Sequence, residues 1–171
     1  MRRLFILLLA LSPTSHAFAQ ATGDTLPARR PGQWEIRMQL EGRQGGPEML
    51  ARVCTDAETE KLLMAQAMGG MGASCRRNDI RRVGDTYRIE TDCDIGGMRT
   101  QSVAVASGDF QAGYTMRIEG SVTMAGAPPQ KTLMVQQARW LGAACIGGMV
   151  PGDMEVSGQR FNVRNLPRLS N

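Results

Sequence analysis

The sequence predicts a mainly β (α+β) fold: a curved antiparallel meander, or open barrel, of about seven strands with one helix. Three observations predict it. Several segments alternate apolar and polar residues with period two, the mark of a half-buried strand. One helix-start signature stands out, at Thr55. The links between strand segments are short and rich in Gly and Asp, which favours antiparallel neighbours.

Residues 20–30 are polar with Gly and Pro and read as a loose N-terminal segment. Gln33 to Glu41 then alternates without error, with Trp34, Ile36, Met38 and Leu40 on one face and Glu35, Arg37, Gln39 and Glu41 on the other. Gly42 to Pro47 breaks that strand, and Met49 to Cys54 forms a second. Thr55-Asp56-Ala57-Glu58 fits a capping box in which the Thr55 hydroxyl takes a first-turn N–H and Glu58 reaches back. The helix is expected to run through Leu62, Leu63, Ala65 and Met68 to a glycine stop at Gly69.

From Cys75 onward strand signals dominate. The stretch CRRNDIRRVGDTYRIETDC reads as a hairpin turning at Val83-Gly84-Asp85, with Tyr87, Ile89, Thr91 and Cys93 alternating against Arg88, Glu90 and Asp92. Arg99 to Ser107 is a strand of small residues, and Ser107-Gly108-Asp109 turns the chain. Phe110, Ala112, Tyr114, Met116 and Ile118 then alternate with polar neighbours. A loop with Pro128-Pro129 leads to the strand Lys131 to Leu141, whose inward face is undecided between Leu133/Val135 and Met134/Ala138/Trp140. Residues 146–171 are expected to be an irregular tail with at most a short strand near Glu155 to Val163. Residues 31–145 thus form a single mainly β domain. One apolar face per strand means that the sheet must be covered, by the helix or by curling on itself.

Residues 1–19 read as a signal peptide: Arg2 and Arg3, an apolar run from Leu4 to Leu11, and Ala17-Phe18-Ala19 with small residues where a signal peptidase cuts, before Gln20. The run is too short for the roughly 20 residues that span a bilayer. The single His of the chain, His16, lies inside this leader, so the mature chain has no imidazole. That excludes Ser-His-Asp and Cys-His catalysis and nearly every His-based metal site. The leader carries two of the 20 basic side chains and no acid, which leaves 18 basic against 16 acidic groups. So weak a charge, with Arg76-Arg77 and Arg81-Arg82 reading as a solvated hairpin face, gives no nucleic-acid footprint.

Cys54, Cys75, Cys93 and Cys145 all survive cleavage. An even count in an oxidising compartment favours two disulfides over a thiolate metal site, which brings its ligands in closer pairs. Of three possible pairings, Cys75–Cys93 with Cys54–Cys145 fits best, and Cys54–Cys75 with Cys93–Cys145 stays open. A two-residue turn at Gly84-Asp85 sets Arg76 opposite Cys93, so the hairpin bridge needs a three-residue turn or one bulge.

The Pro31-Gly32-Gln33-Trp34-Glu35 opening, Val53-Cys54-Thr55, the Cys75 to Cys93 hairpin with Val83-Gly84-Asp85-Thr86, the Ser107-Gly108-Asp109 turn, and Arg139-Trp140-Leu141-Gly142 before Cys145 occur in this order. With them and the leader, the chain resembles a family of small exported proteobacterial proteins, domain-of-unknown-function family 3617, over roughly Pro31 to Cys145. The resemblance implies an exported, mainly β domain without an assigned activity and supplies no catalytic residues.

Three kinds of chemistry fit the residues. If the sheet curls, Trp34, Ile36, Met38, Tyr87, Ile89, Tyr114, Met116 and Ile118 line one concave face that can hold an apolar ligand or lipid, unless the helix and Met side chains fill it. Met64, Met68 and Met71 have helical spacing and offer soft thioethers to Cu(I), although Met also serves as core filler. Paired carboxylates for hydrolysis reduce to Asp92/Asp94 or Glu58/Glu60, and a Ser-Lys site to Lys61 or Lys131, none in a recognised catalytic spacing. The sequence therefore points to an exported, periplasmic, non-enzymatic binding or envelope-interaction module. Its expected partner is an apolar small molecule or lipid, or an envelope protein, with no cofactor, no catalytic residue, no nucleic acid and no membrane span after cleavage.

Overall fold

The computed structural model describes residues 24–41, 48–66 and 74–166. The chain forms β1 (Gly32–Leu40), β2 (Met49–Thr55), α1 (Ala57–Ala65), β3 (Ser74–Val83), β4 (Thr86–Ile95), β5 (Met98–Gly108), β6 (Gly113–Thr123), β7 (Gln130–Gly142), β8 (Asp153–Val156) and β9 (Gln159–Asn162), closed by a 3-10 turn at Val163–Asn165. All nine strands make one antiparallel sheet in the order β3-β4-β5-β6-β7-β1-β2-β8-β9. The sheet is open, with β3 and β9 at its edges. Four arginines along β3 keep that edge charged, which discourages pairing with another sheet.

Seven of the strands are those expected, and β8 and β9 are additions. Beyond Cys145, where an irregular tail with at most one short strand is expected, the chain forms a tight hairpin whose first strand pairs with β2. The bridge Cys54–Cys145 is the physical reason. It fixes the start of this segment against the end of β2. The loop is then held down by the buried Gln33, whose carboxamide accepts from the Ile146 N–H (2.7 Å) and donates to the Met149 sulfur (3.1 Å). The N–H of Gly152 donates to the Cys54 carbonyl (2.8 Å), which delivers β8 to the free edge of β2.

The second disulfide is Cys75–Cys93. The β3–β4 turn has two central residues, Gly84 and Asp85, between the paired Val83 and Thr86. Gly84 has φ +61°, as the first central position of a type II′ turn requires. The register slips by one between Cys75 and Arg77, so Arg76 bulges and Cys75 lands opposite Cys93.

Two local expectations are corrected. The cap of α1 is Asp56, whose carboxylate accepts from the N–H groups of Glu58 (3.1 Å) and Thr59 (2.7 Å), while the Thr59 hydroxyl accepts from the Asp56 N–H. Thr55 instead ends β2, buried, with its hydroxyl donating to the Gly32 carbonyl. Phe110 and Ala112 precede β6 and belong to the turn before it. The helix stop at Gly69 lies outside the described residues, as does the leader.

The open question about β7 resolves in favour of Met134, Ala138 and Trp140. Ala138 stands between Ile36 of β1 and Tyr114 of β6 and is buried. Trp34, Ile36, Ala51, Val53 and Ala138 form the core, with Leu63 of α1, Tyr114, Trp140 and Met154 packed on it. Gly32 is required where β1 begins: a Cβ there would collide with the Gly142 carbonyl, and its φ is +126°.

The two disulfides differ in the loops that they close, 91 and 18 residues. In the chain-entropy treatment these correspond to about 4–5 and about 3 kcal/mol. Urea unfolding of the Cys54→Ser/Cys145→Ser and Cys75→Ser/Cys93→Ser variants is expected to show losses in that order. A larger loss from the hairpin pair would contradict the assignment of the long bridge as the main staple.

Candidate functional site

The inner face of the sheet follows from the register. One row across the strands reads Ile80, Ile89, Ala104, Ile118, Met134, Leu40, and the next reads Tyr87, Ala106, Met116, Gln136, Met38, Met49. Small residues sit in the middle of this face: Ala104 and Ala106 on β5, Ser102 below them, and Gly120 opposite Ser102. Small side chains at the centre of a face flanked by large ones leave a hollow.

That hollow is a cavity of about 410 Å³. Its wall takes Ile89 from β4 and Met154 from β8, strands six steps apart in the sheet. In a flat sheet those strands would stand about 29 Å apart, so a cavity of this size touching both requires strong curvature. Leu63 and Met64 of α1 close one side, and Leu26, Pro27 and Arg29 close another.

Residues 24–30 adopt neither helix nor strand, yet they are tied down at several points. The Arg82 N–H donates to Asp24 (2.7 Å), and the Gln111 side chain donates to the Ala28 carbonyl (3.2 Å). The Arg30 N–H donates to the Phe110 carbonyl, and the Arg30 guanidinium lies 3.9 Å from the Trp140 ring centre. The indole N–H of Trp34 donates to the Arg30 carbonyl (2.8 Å). The strongest tie is Arg29, which grips Glu60 of α1 in a two-point fork of 2.8 and 2.7 Å. Both side chains are nearly buried, 10% and 6% exposed. Burial works against the Arg29 charge, but the Glu60 hydrogen bond, with Glu60 and Tyr114 nearby, more than offsets this and raises its pKa above the ordinary arginine value.

Phe110 and Tyr114 on the cavity wall belong to an aromatic series. Phe110 stacks on Tyr114 (5.0 Å between ring centres), meets Tyr87 edge-on (5.8 Å), and Tyr114 in turn contacts Trp34 (6.0 Å). Phe110 is buried with a left-handed backbone, φ +58°. The turn that holds it is built by Asp109, whose carboxylate accepts from the N–H groups of Gln111 (2.9 Å), Ala112 (2.8 Å) and Gly113 (3.2 Å).

Of the eight residues expected on the concave face, Ile36, Ile89, Tyr114, Met116 and Ile118 line the cavity. Trp34 and Tyr87 stand one layer behind, in ring contact with Tyr114 and Phe110. Met38 packs against the core without reaching the cavity wall. Sequence reading missed the contributions of Leu26, Pro27, Arg29, Leu63 and Phe110. It also missed Thr91, Ser102 and Gln136, which supply polar groups. The run of small residues on β5 was the one legible sign of a hollow.

The other candidates are dispersed. Met64 is on the cavity wall, whereas Met68 and Met71 lie outside the described residues. Asp92 sits on the outer face, paired with Arg99 (2.7 Å), and Asp94 accepts from the Gly97 N–H. Glu58 pairs with Arg164 (3.1 Å) and Glu60 with Arg29. Lys61 is exposed on α1, and Lys131 is exposed at the start of β7. No helix among the described residues is long and apolar enough to cross a membrane.

Residues 29–145 match a family described as "Protein of unknown function (DUF3617)". No curated protein and no solved structure matches the chain.

The Asp109 turn makes the aromatic wall sensitive to acid. Hydrogen bonds from the backbone of Ala112, Gln111 and Gly113 hold the Asp109 pKa below the usual carboxylate range. A folded-state pKa below the unfolded one gives stabilisation that is complete above the unfolded value, near about 4, and is lost as pH falls through the folded one. Asp56, held low by the Thr59 backbone, and Asp92, held low by Arg99, add to the same fall. Between pH 6 and pH 3 the urea midpoint and the near-ultraviolet circular dichroism of the aromatic cluster are expected to decline. Asp109→Ala is expected to lower the midpoint at pH 6 and to remove part of the pH dependence. A variant with native values at both pH extremes would refute this role.

Proposed function

The chain belongs to the DUF3617 family, and from that premise we propose that it is an exported, non-enzymatic binding module whose curved sheet holds one apolar ligand. The carrying observation is the hollow itself, at about 410 Å³ within the usual size of small-molecule sites. Its lining is mainly aliphatic and aromatic, with a few convergent polar groups, as such sites require. Leu63 and Met64 border the space and do not occupy it.

A hydrolytic role has less support. The carboxylates available for it are engaged in ion pairs or turns: Asp92 with Arg99, Asp94 with the Gly97 N–H, Glu58 with Arg164 and Glu60 with Arg29. Two disulfides and the absence of a membrane-crossing helix among the described residues are compatible with an exported protein. Placement in the periplasm, with cleavage before Gln20, rests on the leader sequence. Sequencing the mature N-terminus from an exporting host is expected to read Gln20 first, and a retained leader would refute export by this route.

Ala104 tests the ligand reading. It is buried on the cavity wall between Ile89 and Ile118, whereas Val105 next to it points to the outer face between Arg88 and Arg117. Ala104→Leu fills the hollow. It is expected to weaken binding of a fluorescent apolar probe at least tenfold while the far-ultraviolet spectrum stays native. Val105→Leu is expected to leave binding within twofold. Unchanged binding in the Ala104 variant would overturn the proposal.

A further inference from the structure

The charge balance of the cavity wall says what kind of head group the ligand carries, provided that the groove reading above is right. Arg29 is the one charged residue lining the cavity among the described residues. Its guanidinium is already matched by Glu60, at 2.8 and 2.7 Å, with both side chains nearly buried. The pair therefore presents no net charge to the hollow.

The remaining polar groups are neutral. The Gln136 side chain donates to the Tyr114 hydroxyl (3.1 Å), and that hydroxyl keeps its own proton to give. The Gln136 carbonyl is an acceptor. The Thr91 and Ser102 hydroxyls bond each other (2.8 Å), which commits one of their two protons and leaves the other to donate. These groups satisfy a hydroxyl or a carbonyl. An anionic head would enter a mostly apolar wall without a compensating cation, and burying an unpaired charge is costly.

We infer that the ligand is an uncharged amphiphile, with an apolar body in the hollow and a hydroxyl or carbonyl head, and not a carboxylate or phosphate lipid. The Arg29–Glu60 pair acts as a charge filter: it holds residues 24–30, a strap beside the cavity, to α1 while denying its positive charge to incoming anions.

Displacement of the bound apolar probe by 1-dodecanol and by dodecanoate at neutral pH isolates the head group, since the chains are equal in length. The alcohol is expected to displace the probe from the native protein at a concentration at least tenfold lower than the acid. Glu60→Gln unmasks Arg29 and is expected to improve dodecanoate at least tenfold. If that variant fails to fold, Arg29→Gln/Glu60→Gln keeps the wall neutral and is expected to retain the native preference for the alcohol. Equal or tighter binding of dodecanoate to the native protein would overturn the inference, as would a bound probe that neither compound displaces. A folded Glu60→Gln that still prefers the alcohol tenfold, or a double variant that prefers the acid, would also overturn it. A probe that does not bind at all would instead overturn the groove reading beneath it.

Discussion

The ion pair between Arg29 and Glu60 is the interaction on which the closed groove depends. The segment before β1 forms no strand or helix, so its path is set mainly by side-chain ties, with one backbone bond from the Arg30 N–H to the Phe110 carbonyl. Arg29 supplies the firmest of these ties, joining the segment to α1. A buried pair of this kind contributes little net stability, because desolvation of both charges offsets their attraction, but losing one partner leaves an uncompensated buried charge. Its value is positional: it fixes the strap against the helix, and both then wall the same cavity.

The cavity exists because two demands on the sheet conflict. Trp34, Ile36, Ile89 and Ile118 require cover from water, which drives the sheet to curl. Ala104 and Ser102, on the wall at the centre of the curl, are too small to fill it. A helix of nine residues, with Thr59 and Glu60 buried on its inner side, cannot supply the missing volume. The outer face has the opposite character, laced with exposed pairs such as Arg117–Glu41 and Arg77–Glu90, which contribute little to stability but keep that face in water.

The disulfides act at the ends of the sheet. Cys75–Cys93 pins the β3 edge near its bulge, and Cys54–Cys145 directs the chain after β7 to the far side of β2. The second also explains why the sheet has nine strands. Without a fixed start, a four-residue strand such as β8 has little to hold it in register.

Alternation along Gln33–Glu41 and Tyr87–Cys93 determined the strands and their inward faces, because a strand's side chains switch sides at every residue whatever the sheet does around them. The turn at Gly84-Asp85 marked the hairpin and narrowed the disulfide pairing, since register counts outward from a turn, but it left a three-residue turn and a bulge both open, and the structure chose the bulge at Arg76. By the same rule five of the eight residues expected on the concave face reach the cavity wall. The tertiary structure alone decided that Arg29 meets Glu60, that Asp109 places Phe110 on the groove wall, and that the tail joins the sheet. These rest on contacts between segments far apart in sequence, or on how tightly the sheet bends. Periodicity states which side of a strand is covered. It does not state what covers it, or whether the cover leaves room for a guest.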